Sequence, residues 1–217
     1  MKLDKNSRGT LALVYLLCAI AIASLLVFVR IDWIAWPLTA LILWFCVWQT
    51  AFFRVPVRER HGSGTKVSAV ADGRIVIVGQ EFEDEFLMRE CLHVCIYMNF
   101  FDVHTNFWPV DGEVTYYQYH PGAHALAFKP KASKENEHTC TCIHTKEGKD
   151  IFFKQIAGGF ARRIVNYASP GMKVRAGEQC GIIKFGSRID YFLPLDCKLE
   201  VGKGDVMRAC ETIIAEL

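Results

Sequence analysis

Two uncharged apolar runs near the N-terminus constrain this chain more than any other feature. Leu11 to Val29 and Trp33 to Phe53 are separated only by Arg30, Ile31 and Asp32. At about 1.5 Å rise per residue each run makes a helix of roughly 28–32 Å, matching a bilayer's hydrocarbon core. The first run lacks a clear small-residue cleavage site and meets a second apolar run at once. A retained helical hairpin is therefore predicted, not a removable signal peptide. Pro37 falls near the start of the second helix, where a missing N–H is tolerated. Trp33, Trp36, Trp44 and Trp48 include candidate interface anchors.

Charge gives the hairpin a direction. Lys2, Lys5 and Arg8 precede it and Arg54, Arg58 and Arg60 follow it, whereas the connecting turn sets Arg30 against Asp32. By the positive-inside tendency both ends, and all that follows, lie on the cytoplasmic side of a cell membrane. A hairpin that dips into one leaflet gives the same topology. Met1 to Phe53 holds four Lys or Arg and two Asp or Glu, leaving twenty-one of each for the remainder, so the net charge of +2 belongs to the N-terminal part. The rest is balanced and lacks the clustered basic footprint of a nucleic-acid binder. Nine cysteines without regular spacing read as small buried apolar residues in a reducing compartment.

His61-Gly62-Ser63-Gly64 reads as a flexible joint dividing a membrane segment, 1–60, from a domain, 61–217. Beyond it the apolar period changes to two, over Lys66–Val70, Arg74–Val78, Leu92–Met98, Gly112–Tyr119, Thr139–His144 and Ile151–Ile156. Short runs rich in Val, Ile, Thr and aromatics between Gly, Pro or Asp turns predict a mainly β, antiparallel sandwich. Phe160–Tyr167 and Asp205–Leu217 are the main candidates for short helices. Ser169 to Glu178 resembles the turn before the second half of biotinyl- and lipoyl-type sandwiches.

Gly181 to Asp190, Gly-Ile-Ile-Lys-Phe-Gly-Ser-Arg-Ile-Asp, reads as strand, tight turn, strand centred on Gly186–Ser187. A serine at such a turn is expected to be presented, not buried. Glycine's backbone freedom would let the Ser187 hydroxyl turn back on the Gly186 carbonyl, making that peptide bond its own substrate.

Phe185-Gly186-Ser187-Arg188, with Asp190 and Leu193-Pro194, resembles the self-cleavage site of the phosphatidylserine decarboxylases, in particular their short form. Three further blocks fall in the family's order. They are Ser68-Ala69-Val70-Ala71-Asp72-Gly73, then Phe101-Asp102-Val103-His104-Thr105-Asn106 with Pro109-Val110-Asp111-Gly112, then Gln155-Ile156-Ala157-Gly158 with Ala161-Arg162-Arg163-Ile164. Together the blocks cover roughly residues 60 to 205. The resemblance implies a triad of Asp72, His104 and Ser187, recognised by role and not by spacing. His104 takes the hydroxyl proton as Ser187 attacks Gly186, and the peptide becomes an ester.

The resemblance further implies elimination from that ester, giving a large chain, 1–186, and a small chain, 187–217, which stay associated. The small chain would begin with a pyruvoyl group derived from Ser187, the covalently bound pyruvate cofactor. That ketone would form a Schiff base with phosphatidylserine and act as electron sink for its decarboxylation to phosphatidylethanolamine. Many longer members carry a second histidine where this chain has Phe101.

Read from the residues alone, alternatives remain beside these assignments. Asp72 in Ala71-Asp72-Gly73 suits a turn aspartate accepting backbone N–H groups, and Asp102 rivals it as the carboxylate that orients His104. Cys140-x-Cys142-x-His144, with His138 before it, has zinc-ligand residue types. Alternate strand positions make a poor tetrahedral corner and no second ligand pair follows, so no metal is assigned. His120 to His124 could border a lipid headgroup, Arg162 and Arg163 could contact phosphate, and Lys184 could assist locally. Self-association stays open. The rival function is a membrane-tethered β-sandwich binding or carrier module without catalysis. The turn lacks the lysine such a carrier would modify, and Gly-x-Ser-x-Gly of ordinary serine hydrolases is absent.

Overall fold

The computed structural model describes residues 2–62, 64–123, 135–159, 163–184 and 187–217. Its chain divides into two compact units, Met1–Val57 and Arg58–Leu217. In the first, strand β1 (Lys2–Leu3) pairs antiparallel with β2 (Arg54–Val55), and between them run helices α1 (Arg8–Phe28) and α2 (Asp32–Phe52). Both helices are long and apolar enough to cross a membrane. Leu13, Leu17, Ile20, Leu41 and Trp44 stand exposed along them, a surface suited to lipid and unfavourable in water.

The second unit is antiparallel β. Its strands are β3 (Lys66–Ser68), β4 (Gly73–Glu83), β5 (Arg89–Met98), β6 (Thr105–Phe107), β7 (Gly112–His120), β8 (His138–His144) and β9 (Asp150–Ala157). There follow β10 (Arg163–Asn166), β11 (Lys173–Val174), β12 (Gln179–Lys184), β13 (Ser187–Leu193), β14 (Lys198–Leu199), β15 (Val206–Met207) and β16 (Ile213–Glu216). One eight-stranded sheet has the order β11-β7-β8-β9-β13-β5-β4-β15, and two three-stranded sheets have the orders β10-β12-β6 and β14-β16-β3. Period-two alternation decides which face each side chain joins. Ile189, Tyr191 and Leu193 of β13 enter the main core with Ile96, Phe153 and Ile143 of the large sheet, Ile183 and Ile164 of one small sheet, and Val67 and Ile214 of the other.

The structure corrects three expectations. Residues 163–166 of the first helix candidate form β10, and the second candidate supplies β15 and β16. Segments this short gain little as isolated helices. Pairing of β10 with β12, and of β16 with both β14 and β3, satisfies their backbones instead. Second, the joint is docked, not free. His61 N–H donates to the Cys210 carbonyl at 3.0 Å, and a Cβ on Gly62 would come within 2.5 Å of Ser68 Oγ and 2.6 Å of the Pro109 carbonyl oxygen. Third, β12 and β13 belong to different sheets. β12 ends in the small sheet at Lys184 and β13 starts in the large one at Ser187, so the two strands are not paired as a hairpin.

The other face of β13 carries buried charge. Arg188 Nε and Nη2 donate to Asp190 Oδ1 and Oδ2 at 2.5 and 2.9 Å, and His93 Nε2 lies 3.6 Å from Asp190 Oδ2. Burial opposes ionisation of Asp190, but His93 and Arg188 outweigh it and hold the carboxyl down at about 2. Because this folded-state value lies below the ordinary one near 4, the pair's stabilisation is fully present above about pH 4 and is lost as pH falls toward 2. Asp190→Asn should lower stability by about 3–5 kcal/mol, since it strands the buried guanidinium. Denaturant melts should show that loss at neutral pH and a smaller gap between variant and parent near pH 2.

Candidate active site

Four strand ends meet at one edge of the large sheet. β13 begins there with Ser187, which lies opposite Met98, the last residue of β5, and Ala157, the last of β9. β4 begins at the same edge, with Arg74 opposite Tyr97. Gly73, just before it, has φ +150°, and a Cβ there would fall 2.3 Å from the Tyr97 carbonyl oxygen. Only glycine allows the chain to pass so close after Asp72. The topology thus places the start of β4, which follows Asp72, and the start of β13 at the same end of the sheet, on either side of β5.

Ser187 is fully buried, contrary to its expected presentation on a turn. Its hydroxyl lies 3.6 Å from Met98 Sδ. A strand–glycine–strand pattern has the same local signature whether the chain turns back or crosses between layers, and crossing places the serine inside. Gly186 lies outside the described residues, as do Phe185, Arg162 and His124.

His104 is also fully buried. It sits in the irregular segment after the turn at Asn99–Asp102. Asn99 N–H donates to Asp102 Oδ2 at 2.8 Å, closing that turn. The carbonyl of His104 accepts from Ile183 N–H at 3.2 Å, fastening the histidine to β12, the strand that precedes β13 in sequence. Its Nδ1 lies 3.0 Å from the Asp102 main-chain carbonyl. A carbonyl can only accept, so Nδ1 carries the proton and neutral His104 has Nε2 as its basic nitrogen.

The Asp72 carboxylate is held by the Arg58 guanidinium. Nη2 lies 2.6 Å from Oδ2, Nη1 pairs with Oδ1, and Ala209 N–H donates to Oδ1 at 2.9 Å. Thus the described contact that sets the His104 tautomer comes from the Asp102 main chain, while Asp72 is engaged with Arg58. Sequence reading counted Arg58 only as a topology-setting charge. Its pairing needed the fold, because a residue preceding the domain's first strand gives no local sign of its partner.

Further blocks act as anchors. Tyr191 Oη accepts from Val70 N–H at 2.5 Å and donates to the Ser68 carbonyl at 3.1 Å, tying the segment before Asp72 to β13. Gln155 Nε2 donates to Asn106 Oδ1 at 2.6 Å, and Gln155 Oε1 accepts from Thr139 Oγ1 at 2.9 Å and Asn166 Nδ2 at 2.7 Å. This buried net joins β8 and β9 of the large sheet to β6 and β10 of the small one, two residues from His104. Of the remaining candidates, Arg163 lies opposite Lys184 on paired strands β10 and β12, and His120 Nε2 lies 2.8 Å from Glu85 Oε1. His144 Nδ1 lies 2.7 Å from Asp150 Oδ1 at the surface, while Cys142 packs with Phe152 and Phe192.

A mainly β domain with a buried serine at the start of one strand, and a buried histidine bonded to the strand that precedes it in sequence, narrows the class of protein. The phosphatidylserine decarboxylase family profile matches residues 45–215. Phosphatidylserine decarboxylase proenzymes of Nitrosomonas eutropha and Nitrosomonas europaea are similar. The first is 46% identical over 165 residues, 76% of this chain and 76% of the relative. The second is 43% identical over 198 residues, 91% of this chain and 89% of the relative. The proenzyme of that name from Amoebophilus asiaticus is 39% identical over 171 residues, 79% of this chain and 76% of the relative. The chain belongs to the phosphatidylserine decarboxylase family, a family of decarboxylase enzymes.

The Arg58–Asp72 pair sets a boundary for a truncated domain. A chain beginning at Val57 keeps the pair, whereas one beginning at Gly62 leaves the mostly buried Asp72 without its cation. The chain that begins at Gly62 should melt on the order of 10 °C lower, as expected for about 3 kcal/mol lost from a domain of this size. Equal melting points for the two truncated chains would contradict a structural role for Arg58.

Proposed function

We propose that this chain is a membrane-tethered proenzyme that cleaves itself at Gly186–Ser187 and then decarboxylates phosphatidylserine to phosphatidylethanolamine and carbon dioxide. The observation that carries this reading is the position of Ser187. It is buried at the first residue of a strand bonded on both edges, and His104 is fastened to the strand that leads into it. That arrangement limits water and holds the serine's backbone in place for an attack on its own preceding peptide bond.

In the cleavage, His104 Nε2 accepts the Ser187 hydroxyl proton as Oγ attacks the Gly186 carbonyl carbon. The carbon–nitrogen bond breaks, the Ser187 nitrogen takes the proton, and an ester joins the two residues. Loss of the Ser187 α-proton expels the Gly186 carboxylate and leaves dehydroalanine. Its imine tautomer takes up water and releases ammonia, leaving a ketone at residue 187. Asp72, paired with Arg58, is assigned the support of the positive charge that His104 gains.

The pyruvoyl ketone supplies the electron-withdrawing carbonyl that condenses with a substrate amine. Ser187 fits as its source: its strand is held from both sides, so the new terminus stays in place when the chain is cut. β13 retains its pairing with β5 and β9, and β16 its pairing with β3, which keeps the small chain on the large one. The hairpin would hold the domain on the cytoplasmic face of the cell membrane, where the lipid headgroup lies.

Ser187→Ala should remain one uncut chain and form no phosphatidylethanolamine. His104→Ala should slow cleavage by at least about 100-fold. Asp72→Asn should slow it as well, whereas Asp102→Asn should cut at close to the parent rate, since the main-chain carbonyl facing His104 is kept. Gel analysis of freshly made protein checks all four. Normal cleavage of Asp72→Asn would remove that residue from the mechanism, and cleavage of Ser187→Ala would sink the serine-driven reading.

A further inference from the structure

From three separate segments of the chain, Glu85, His120 and the pair His138 and Cys140 converge on the face of the large sheet opposite the main core. Each offers one ligand atom, and these four atoms lie within 4.8 Å of one another. We propose that they form a zinc site, with one thiolate, two imidazoles and one carboxylate as ligands.

The fold builds this cluster from three directions. His120 and His138 lie directly opposite each other on β7 and β8, with rings stacked at 4.6 Å between centroids and 17° between planes. Cys140, two residues along β8, shares the face of His138. Glu85 comes from the turn between β4 and β5, whose strands lie beyond β9 and β13 in the sheet order. That turn is shaped by Glu83, whose carboxylate accepts the N–H groups of Glu85, Phe86 and Leu87 at 3.1, 2.8 and 2.7 Å.

The donor atoms are prepared for a cation. His138 Nδ1 lies 2.7 Å from the Asn136 carbonyl, which fixes the proton there and leaves Nε2 with its lone pair. Glu85 gathers the others: its Oε1 lies 2.8 Å from His120 Nε2, and its Oε2 accepts from Cys140 Sγ at 3.0 Å. Two protons therefore sit between would-be ligands. Zinc binding releases the Cys140 proton to solvent and moves the His120 proton from Nε2 to Nδ1, so sulfur and both Nε2 atoms face the ion. With zinc–ligand bonds of about 2.0–2.3 Å, tetrahedral donors stand roughly 3.3–3.8 Å apart, so the cluster needs to contract by about 1 Å.

Charge favours the same occupant. Glu83 and Glu85 face one ammonium, Lys154, at 3.5 and 3.3 Å. With neutral imidazoles and a protonated thiol, this buried group carries one excess negative charge. A dication that displaces one proton brings it to neutrality, which buried charge requires. His120 is about one-third exposed while Cys140 is fully buried, so the ion has a way in from solvent and a closed inner end. Bound there, zinc would clasp the β4–β5 turn to the β7–β8 hairpin across two intervening strands.

The test uses the full-length protein in detergent, purified without chelator. Metal analysis should give one zinc per chain. After stripping, one equivalent of Co²⁺ should produce the visible bands of a tetrahedral site with a thiolate-to-cobalt band in the near ultraviolet. Cys140→Ser should abolish the thiolate band and His120→Gln should weaken Co²⁺ binding, while Cys142→Ser and His144→Gln should change neither. If Cys140→Ser fails to fold, the wild-type melt decides: added zinc should raise the melting temperature and chelator reverse it. No stoichiometric Co²⁺ binding, bands unaltered in Cys140→Ser, or a melt indifferent to zinc would overturn the assignment.

Discussion

The structure depends on β13 lying between β9 and β5 in the large sheet. All seven residues of this strand, Ser187 to Leu193, are buried, and its backbone is paired on both edges. Its alternation divides the domain. Ile189, Tyr191 and Leu193 enter the main core, while Arg188, Asp190 and Phe192 face the opposite side. A one-residue slip would drive the Arg188–Asp190 pair into the apolar core and expel Tyr191, so the register is fixed by both faces at once. Ser187 inherits that fixed position. In the proposed self-cleavage, a nucleophile held by so many constraints would need little reorganisation.

The second face explains how a domain of this size holds charge inside. Arg188, Asp190 and His93 form one group of charged neighbours and Lys154, Glu83 and Glu85 another, with Lys154 Nζ 5.4 and 5.5 Å from the ring centroids of Phe152 and Phe192. Such pairs add less net stability than apolar packing of equal volume, but breaking one is costly because its partner stays buried. They therefore restrict which arrangements of the β4–β5 turn are acceptable. The turn is held over this face by Glu83, and its exposed Phe86 stacks on Tyr116 at 4.4 Å.

Much of this was legible in the residues. Run length and lack of charge gave the apolar hairpin, and β-branched alternation located β4, β5, β7, β8 and β9 to within a few residues. These elements are set by local period and burial. Other features were hidden because they depend on pairing between distant segments. Val165 and Ile213 are as compatible with a short helix as with a strand until β12 or β3 lies beside them. Ser187 read as a turn residue because sequence does not say which sheet the next strand joins. Arg58 and Glu85 carried no sign of the contacts they make, since each gains that meaning from a partner distant in sequence. The His120–Glu85–Cys140 convergence likewise required the β7–β8 register.

The central claim, that the chain spends Ser187 to make its own reactive group, is tested most directly by intact mass under denaturing conditions. Two chains are predicted from the wild-type protein, 1–186 ending in a free carboxylate and 187–217 beginning with a pyruvoyl group in place of serine. One uncut chain of 217 residues, or a small chain beginning with an ordinary serine amine, would contradict it.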